Sequence, residues 1–526
     1  MARMKDKTGQ ATGKYTHRET VWKGILLLVS FGLLYFLSIS MLEAAVAQID
    51  IKNILRVALV LIILDLSKKA FWLLALPYVM LHAIYLPVAK SYGAMNYNYF
   101  ASLIATNVAE SREFLHSLST HSLWQAAAMV PALVAFRFIA VRYNLHIARN
   151  RTALIALVLV ALMSLAQYQL PRETIDAVRQ TYSEIQELGR LAQKSGWTVT
   201  QVHPKYDVYV LVIGESARRD YMGAYGYPIE NTPFMSTSNG VLVDGLLSAG
   251  MNTVSSLKLM LTYPNKEKWT PNYDLSFVNL ANDAGFDTVW LSNQGRLGKY
   301  DTPVSAIAER SAVKHFLRNA NFASSNADDD LLLPLFQQQL ASISRKKKLI
   351  VLHLAGSHAI ACDRLFGYRN RYQPADEKFT DVGCYLATLE KTDQLLSDVK
   401  HALDAFTERS TMTYSMIYFS DHGDSRVEVD GRVQMVHTDV RQQYQIPLFK
   451  VSSDDTARKV IKRYKSPLNF VDGIANWMGI ETKQTAPQYD LFSDTADDDY
   501  GQKAKLEALP SDPPLDMRGY LKKSSG

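Results

Sequence analysis

A multi-span α-helical membrane domain followed by an α/β domain, with a largely parallel sheet sandwiched by helices, is the architecture this sequence predicts. Three observations carry the prediction. Long uncharged apolar runs are confined to the first third of the chain, as at Gly24 to Leu42 and Ala70 to Ala89. From Tyr206 onward, short apolar runs rich in Val, Ile and Leu alternate with helical patterns. Several of those runs stop abruptly in Gly, Ser, an acid or a histidine, as strands of a parallel sheet do where they open into a ligand crevice.

The chain has 526 residues, too many for one compact domain. Its 57 Lys and Arg exceed its 51 Asp and Glu by only six. The basic residues cluster beside apolar segments, a pattern that orients membrane spans and gives no support to nucleic-acid binding.

Five spans are read from the apolar half. Gly24 to Leu42, Ala70 to Ala89 and Thr152 to Leu170 are long enough to cross a bilayer. Asn53 to Ser67 is short, with Arg56 and Asp65 near its ends, and Leu123 to Val141 contains Arg137. Lys and Arg at the N-terminus, at Lys68 and Lys69, and at Arg142, Arg149 and Arg151 fall on one side if five spans exist. The positive-inside rule makes that side cytoplasmic, so everything after Leu170 lies outside. A cleaved signal peptide is not expected, because more spans follow the first. Between the third and fourth spans, Tyr97 to Leu118 has helical periodicity and reads as an amphipathic helix on the membrane surface, with Thr106, Asn107 and Glu110 on neighbouring turns.

Pro171 to Trp197 is charged and helical in pattern and leads to the globular part. Strands are expected at Val208–Ile213, Phe286–Leu291, Leu349–Leu354, Ser415–Phe419 and Ile446–Val451, and helices at Leu275–Ala284, Asp329–Ser344 and Tyr385–Leu403. Alternation at that spacing favours a parallel sheet. After Leu491 the chain is polar and proline-bearing, so a loosely ordered tail is expected. The domains are thus 1–172 in the membrane with the interfacial helix near 97–118, a helical linker over 173–204, the α/β domain over 205–490 and a tail over 491–526.

Three of the strand ends carry chemistry. They deliver Glu215 in Gly214-Glu215-Ser216, His358 in Gly356-Ser357-His358, and Asp421-His422 in Ser420-Asp421-His422-Gly423. Carboxylate and imidazole ligands together suit zinc. Thr253 precedes an apolar helical stretch, where a hydroxyl is either a helix cap or a nucleophile facing an anion. Ser255 and Ser256 offer hydroxyls nearby, and Glu215 has its own alternative as a cap of the following helix. His437 reads equally as a surface histidine. His315, His353 and His401 read as structural, and Arg218 and Arg219 as a solvated face. Cys362 and Cys384 are not spaced as a zinc ribbon; outside the cytoplasm they can form one disulfide beside His358, and two unpaired thiols are the alternative.

The combination of VIGESARRDYMGAYGYPIENTPF, LHLAGSH and YFSDHG with five spans resembles the bacterial phosphoethanolamine transferases of the alkaline phosphatase/sulfatase superfamily. The Thr106-Asn107-x-x-Glu110 pattern is similar to the family's periplasmic interfacial helix. That resemblance implies an inner-membrane enzyme with its catalytic domain in the periplasm. It implies zinc held by Glu215, Thr253, Asp421 and His422, with Thr253 also the nucleophile. His358 matches the family's phosphate-contacting histidine. His437 falls near a further active-site histidine, although Gln445 stands before Ile446-Pro447 where many members carry histidine. The implied reaction takes phosphoethanolamine from phosphatidylethanolamine to a lipopolysaccharide or periplasmic glycan acceptor through a covalent phosphoethanolamine-enzyme intermediate. With only two cysteines, the chain looks closer to members that modify core sugars or other glycans. A phosphoglycerol transferase of the same superfamily and a non-catalytic glycan-binding membrane protein are the competing readings. A sulfatase is disfavoured, because no CxPxR-like segment supplies its cysteine nucleophile.

Overall fold

The computed structural model describes residues 17–95, 118–143, 168–191, 195–294, 302–318, 326–342 and 347–522, together with 100, 111–112 and 114–115. These residues form two compact units, one within 1–94 and 120–173 and the other within 95–119 and 174–526.

The first unit contains α1 (His17–Ala44), α2 (Ile51–Asp65), α3 (Leu76–Tyr92) and α4 (Thr120–Arg142). A wide helical turn, Phe71–Ala75, leads into α3. Among the described residues, three stretches are long and apolar enough to cross a membrane: Val21–Ala44, Lys68–Tyr92 and Thr120–Arg142. The chain is a membrane protein. The short α2 spans 15 residues, or about 22 Å at 1.5 Å per residue, less than the hydrocarbon thickness. The expected fifth span falls almost wholly outside the described residues. Two ion pairs join helices of this unit. Arg137 reaches Asp65 at 2.9 Å and lies 5.1 Å from the Phe71 ring, tying α4 to the end of α2. At the opposite ends of the helices, Lys90 meets Glu43 at 3.0 Å and Gln125 donates to Glu43 and Ser40, joining α1, α3 and α4. An ionisable side chain in a membrane segment is costly unless it is paired in this way.

The second unit includes α5 (Gln169–Leu191) from Thr174 onward, and the last turns of this helix dock through Glu184 onto Lys258 and the Tyr273 hydroxyl. Its centre is an eight-stranded sheet. In chain order the strands are β1 (Val208–Gly214), β2 (Gly240–Val243), β3 (Asp287–Ser292), β4 (Val313–Phe316), β5 (Lys348–His353), β6 (Tyr414–Ser420), β9 (Leu448–Ser452) and β10 (Arg458–Ile461). A separate hairpin, β7 (Ser425–Val429) with β8 (Arg432–Val436), follows β6. Across the sheet the order is β10-β2-β9-β6-β1-β5-β3-β4. The run β6-β1-β5-β3-β4 is parallel throughout, while β9 is antiparallel to both of its neighbours.

Period-two alternation decides which face each residue of β1 covers. Val208, Val210 and Val212 pack in one core with α8 (Leu332–Ala341) and α9 (Thr380–Ser410). Tyr209, Leu211 and Ile213 pack in the other with α6 (Thr253–Met260), α7 (Phe277–Asp283) and Phe470–Trp477. Every residue of β1 is buried, which explains its unbroken apolar run. The register places Gly214 opposite Ser420 and Ile213 opposite His353. The residues that follow all three strands therefore emerge at one edge.

The five expected strands and three expected helices are present; the largest displacement is in α9, which starts five residues earlier and ends seven later than expected. Strands β2, β4 and β10 were not anticipated. The four-residue β2 lies inside the sheet. The other two lie at the edges and read Val-Lys-His-Phe and Arg-Lys-Val-Ile, with the charges that edges carry. The tail also differs from its expected looseness. Asp512 accepts from Arg218 and Arg426 at 2.7 and 2.6 Å, and the Tyr227 hydroxyl donates to the Leu515 carbonyl. A polar tail is ordered here by buried partners distant in sequence, which composition does not reveal.

Leu211 is fully buried at the middle of the central strand. Leu211→Ala is expected to cost about 2–5 kcal/mol, lowering the thermal midpoint of the α/β unit while the helical content of the membrane unit persists. Circular dichroism melting of the full-length protein checks this.

Candidate active site

Glu215 follows β1, and Asp421 and His422 follow β6, the neighbouring strand. The Glu215, Asp421 and His422 side chains are all fully buried. The turn after β5 meets Glu215 at Gly356, whose φ is +48° and whose added Cβ would lie 2.8 Å from the Glu215 carbonyl oxygen. Only glycine lets the turn after β5 press against Glu215. Asp329 pins that turn, accepting from the Ala355 and Gly356 amides at 2.8 Å each.

Thr253 opens α6 but does not cap it. Asn252 is the cap: its side chain accepts from the Ser255 amide at 2.9 Å, and the Ser255 hydroxyl lies 3.3 Å from the Asn252 amide. Ser256 donates to the Asp421 carbonyl at 2.6 Å. Both serine hydroxyls are thus engaged in holding backbone. The Thr253 hydroxyl instead donates to Glu215 Oε2 at 3.1 Å and lies 3.4 Å from His422 Nε2. His422 Nε2 is also 3.3 Å from Glu215 Oε1 and 3.3 Å from Asp421 Oδ2. Donor atoms of four residues from three separate parts of the chain converge on one small volume. His422 Nδ1 donates to the Gly423 carbonyl at 2.9 Å, which leaves Nε2 as the nitrogen that would ligate a cation once it gives up its proton.

This donor set fits a divalent cation. Glu215, Asp421 and His422 form a group whose ligand atoms lie within 4.8 Å of one another. Asp421 Oδ2 is buried with no hydrogen-bond donor among the described residues. Burial works against the ionised Glu215 carboxyl, but the hydrogen bond and charge of His422 hold it below its usual range. Burial and the charge of Glu215 push Asp421 up. Burial also opposes a charged His422 ring; Asp421 and Glu215 outweigh it and raise the ring to about 10.

His358 and His437 stand beside this centre. The His437 ring centroid is 5.0 Å from that of His422 and 5.9 Å from that of His358. The structure therefore brings together Glu215, Thr253, His358, Asp421, His422 and His437. Thr106, Asn107 and Glu110 lie outside the described residues. Two residues here escaped sequence reading. Asp424 accepts from His437 Nδ1 at 2.8 Å, and with His422 and His437 it makes a second group able to hold a cation. Gln294 donates to Glu215 Oε2 at 2.9 Å. Asp424 had a signal, an acid two residues beyond His422; Gln294 had none, since nothing in its surroundings marks an amide.

Arg218 and Arg219 do not form a solvated face. Arg218 is fully buried, paired with Asp220 and Asp512 at 2.7 Å each. Arg219 pairs with Asp244 at 3.0 Å. Asp512 and Asp244 lie far along the chain, which hid both pairings. Cys362 and Cys384 form a disulfide. His315 and His401 are exposed, and His353 is buried under the sheet edge.

An α/β sheet with an acid, an acid–imidazole couple and a helix-opening threonine gathered at its strand ends defines a sulfatase-type catalytic domain, and residues 207–480 match the Sulfatase family model. Escherichia coli (strain K12) phosphoethanolamine transferase OpgE is 37% identical over 439 residues, covering 78% of this chain and 81% of that protein. A Haemophilus influenzae protein with a provisional phosphoethanolamine transferase name is 43% identical over 359 residues, 67% of this chain and 74% of its own length. The chain belongs to the phosphoethanolamine transferases of the alkaline phosphatase/sulfatase superfamily and is a transferase enzyme. Its fold is also that of the integral membrane lipooligosaccharide phosphoethanolamine transferase A from Neisseria meningitidis, with a TM-score of 0.61 at 15% identity over 88% of this chain and 97% of that one.

A ligating imidazole is neutral, whereas His422 in the metal-free site is protonated at pH 7 because its pKa is raised to about 10. Cation loading is therefore expected to release a proton, with affinity rising about tenfold per pH unit through the neutral range. Titration calorimetry in buffers of contrasting ionisation enthalpy reads that proton; heats independent of the buffer would place the cation elsewhere.

Proposed function

We propose that the protein sits in the bacterial inner membrane with its α/β unit in the periplasm. There it transfers phosphoethanolamine from phosphatidylethanolamine to a lipopolysaccharide or periplasmic glycan acceptor. The observation that carries this reading is the Thr253 hydroxyl, the one hydroxyl of the α6 first turn not engaged in holding backbone, turned onto Glu215 and His422. The resident ion is proposed to be zinc, held by Glu215, Thr253, Asp421 and His422, because mixed oxygen and imidazole donors in a four-ligand set suit that metal. When bound, it lowers the pKa of the Thr253 hydroxyl and offsets the two buried carboxylates.

Thr253 Oγ attacks the donor phosphorus, and the bond from phosphorus to the diacylglycerol oxygen breaks. That oxygen takes a proton and diacylglycerol leaves, with phosphoethanolamine now esterified to Thr253. An acceptor hydroxyl then attacks the same phosphorus, gives up its proton to the site, and restores Thr253. Splitting the transfer lets one site serve a lipid donor and a dissimilar acceptor in turn. His358 is proposed to hydrogen-bond the phosphoryl oxygens. His437, anchored through Nδ1 to Asp424, is proposed to carry the proton between leaving group and acceptor. Thr106, Asn107 and Glu110 are proposed headgroup contacts; their support is the family-like Thr-Asn-x-x-Glu pattern.

Incubation of the full-length protein with phosphatidylethanolamine labelled in its headgroup is expected to place the label on Thr253, found by peptide mass spectrometry. Thr253→Ala is expected to lose on the order of a thousandfold or more in transfer, with its cation retained in part by the other three ligands. Label from phosphatidylglycerol in preference would select the phosphoglycerol reading, and an unlabelled wild type with a fully active Thr253→Ala variant would end the threonine mechanism.

A further inference from the structure

The loop that leaves His358 is held more firmly than its irregular course requires. Ile360 and Phe366 both adopt positive φ, +57° and +47°, a conformation costly for a β-branched or bulky residue. Three attachments keep it there. Cys362 is bonded to Cys384 of α9. Lys391, also on α9, is buried and donates to the carbonyls of Arg364 and Leu365 at 3.3 and 3.2 Å. The same ammonium pairs with Asp328 at 2.7 Å. What the loop delivers is Arg364, 4% exposed, with its guanidinium turned back into the site. Arg364 Nη2 lies 3.2 Å from His358 Nδ1 and 3.3 Å from the Ala359 carbonyl.

That contact has one chemical meaning. A guanidinium has only N–H donors and does not lose its proton in a protein. The Arg364–His358 hydrogen bond therefore exists only when Nδ1 accepts. A neutral imidazole that accepts at one nitrogen carries its proton on the other.

We propose that Arg364 is a positioning residue for phosphoryl transfer, holding His358 as the neutral tautomer protonated at Nε2. His358 then gives a hydrogen bond to the phosphoryl oxygens in both steps and neither takes nor delivers a proton. This deepens the phosphoethanolamine-transfer reading and rests on it. Burial, followed by the adjacent Arg364 charge, holds the His358 ring down to about 3, in keeping with a ring that stays neutral through the working range. A donor fixed in place before substrate arrives stabilises developing charge without reorganising during the reaction. Arg364 also adds a cation to the flank of a site that holds the Glu215 and Asp421 carboxylates.

Magic-angle-spinning NMR of the full-length, zinc-loaded protein, labelled with 15N-histidine in phosphatidylcholine bilayers, reads the tautomer directly. The His358 signals are assigned by their loss in His358→Gln. The expected result is an unprotonated Nδ1 and a protonated Nε2 at neutral pH. In Arg364→Met the proton is expected to redistribute toward Nδ1, and kcat to fall about 10–100-fold with little change in KM, while Arg364→Lys restores the tautomer and most of kcat. A protonated Nδ1 in the wild type would overturn the proposal. So would a folded Arg364→Met variant with unchanged tautomer and unchanged kcat. Should Arg364→Met fail to fold, the wild-type spectrum and Arg364→Lys decide alone. The expected tautomer in a protein that never labels Thr253 would defeat the transfer reading while the Arg364–His358 pairing stood.

Discussion

Two carboxylates buried side by side are the constraint around which the α/β unit is organised. Glu215 and Asp421 end neighbouring parallel strands, so the register that pairs Gly214 with Ser420 forces their side chains together. Ionised and unpaired in that setting, they would oppose folding strongly. Each nearby feature offsets part of that cost. The Ser216 hydroxyl and Gln294 donate to Glu215. The Ser216 and His422 amides donate to Asp421 Oδ1. Thr253, in the first turn of α6, donates its hydroxyl to Glu215 at 3.1 Å. These contacts still leave Asp421 Oδ2 without a donor among the described residues. A cation is the natural completion of such a set, and a protonated His422 is its substitute when no cation is bound.

The sheet and the strand-end motifs were legible because they depend on local patterns. The unbroken apolar run of β1 reports burial on both faces, and an acid or a Ser-Asp-His immediately after such a run reports its position at the crevice. The choice among three hydroxyls was not legible in the same way. Thr253, Ser255 and Ser256 are equivalent by type and spacing, and only the capping box at Asn252 and Ser255 separates them. Capping geometry depends on how α6 enters from the preceding loop, which the sequence leaves open between Asn252 and Thr253.

The remaining departures share a cause. Arg218 with Asp512, Arg219 with Asp244, and His437 with Asp424 are ion pairs or hydrogen bonds whose members gain meaning only when the fold brings them together. Arg218 illustrates the energetics. A buried guanidinium is costly alone, and without Asp512 it would keep Asp220 as its single carboxylate partner. Its burial beneath Glu215's loop therefore depends on the chain's last segment returning to supply Asp512, which is why a tail that is polar in composition is nonetheless ordered over residues 502–522. Composition measures what a segment can bury by itself; it does not register a debt elsewhere in the protein that the segment settles.

The same logic separates the two histidines beside the centre. They are alike in type, and their rings lie 5.9 Å apart. Their outer nitrogens face opposite partners: His437 Nδ1 meets a carboxylate, whereas His358 Nδ1 meets a guanidinium. A carboxylate accepts from the nitrogen it meets, whereas a guanidinium donates to it. Two residues of one kind are thereby given different chemical capacities by groups that do not touch the reacting atoms. The hairpin of β7 and β8 sets the first of these contacts, since Asp424 and His437 flank its paired ends, Ser425 and Val436. The disulfide-anchored loop after His358 sets the second. Division of labour in this site is therefore a property of its supporting elements, and a change in either the hairpin or the loop would alter the chemistry while leaving every cation ligand in place.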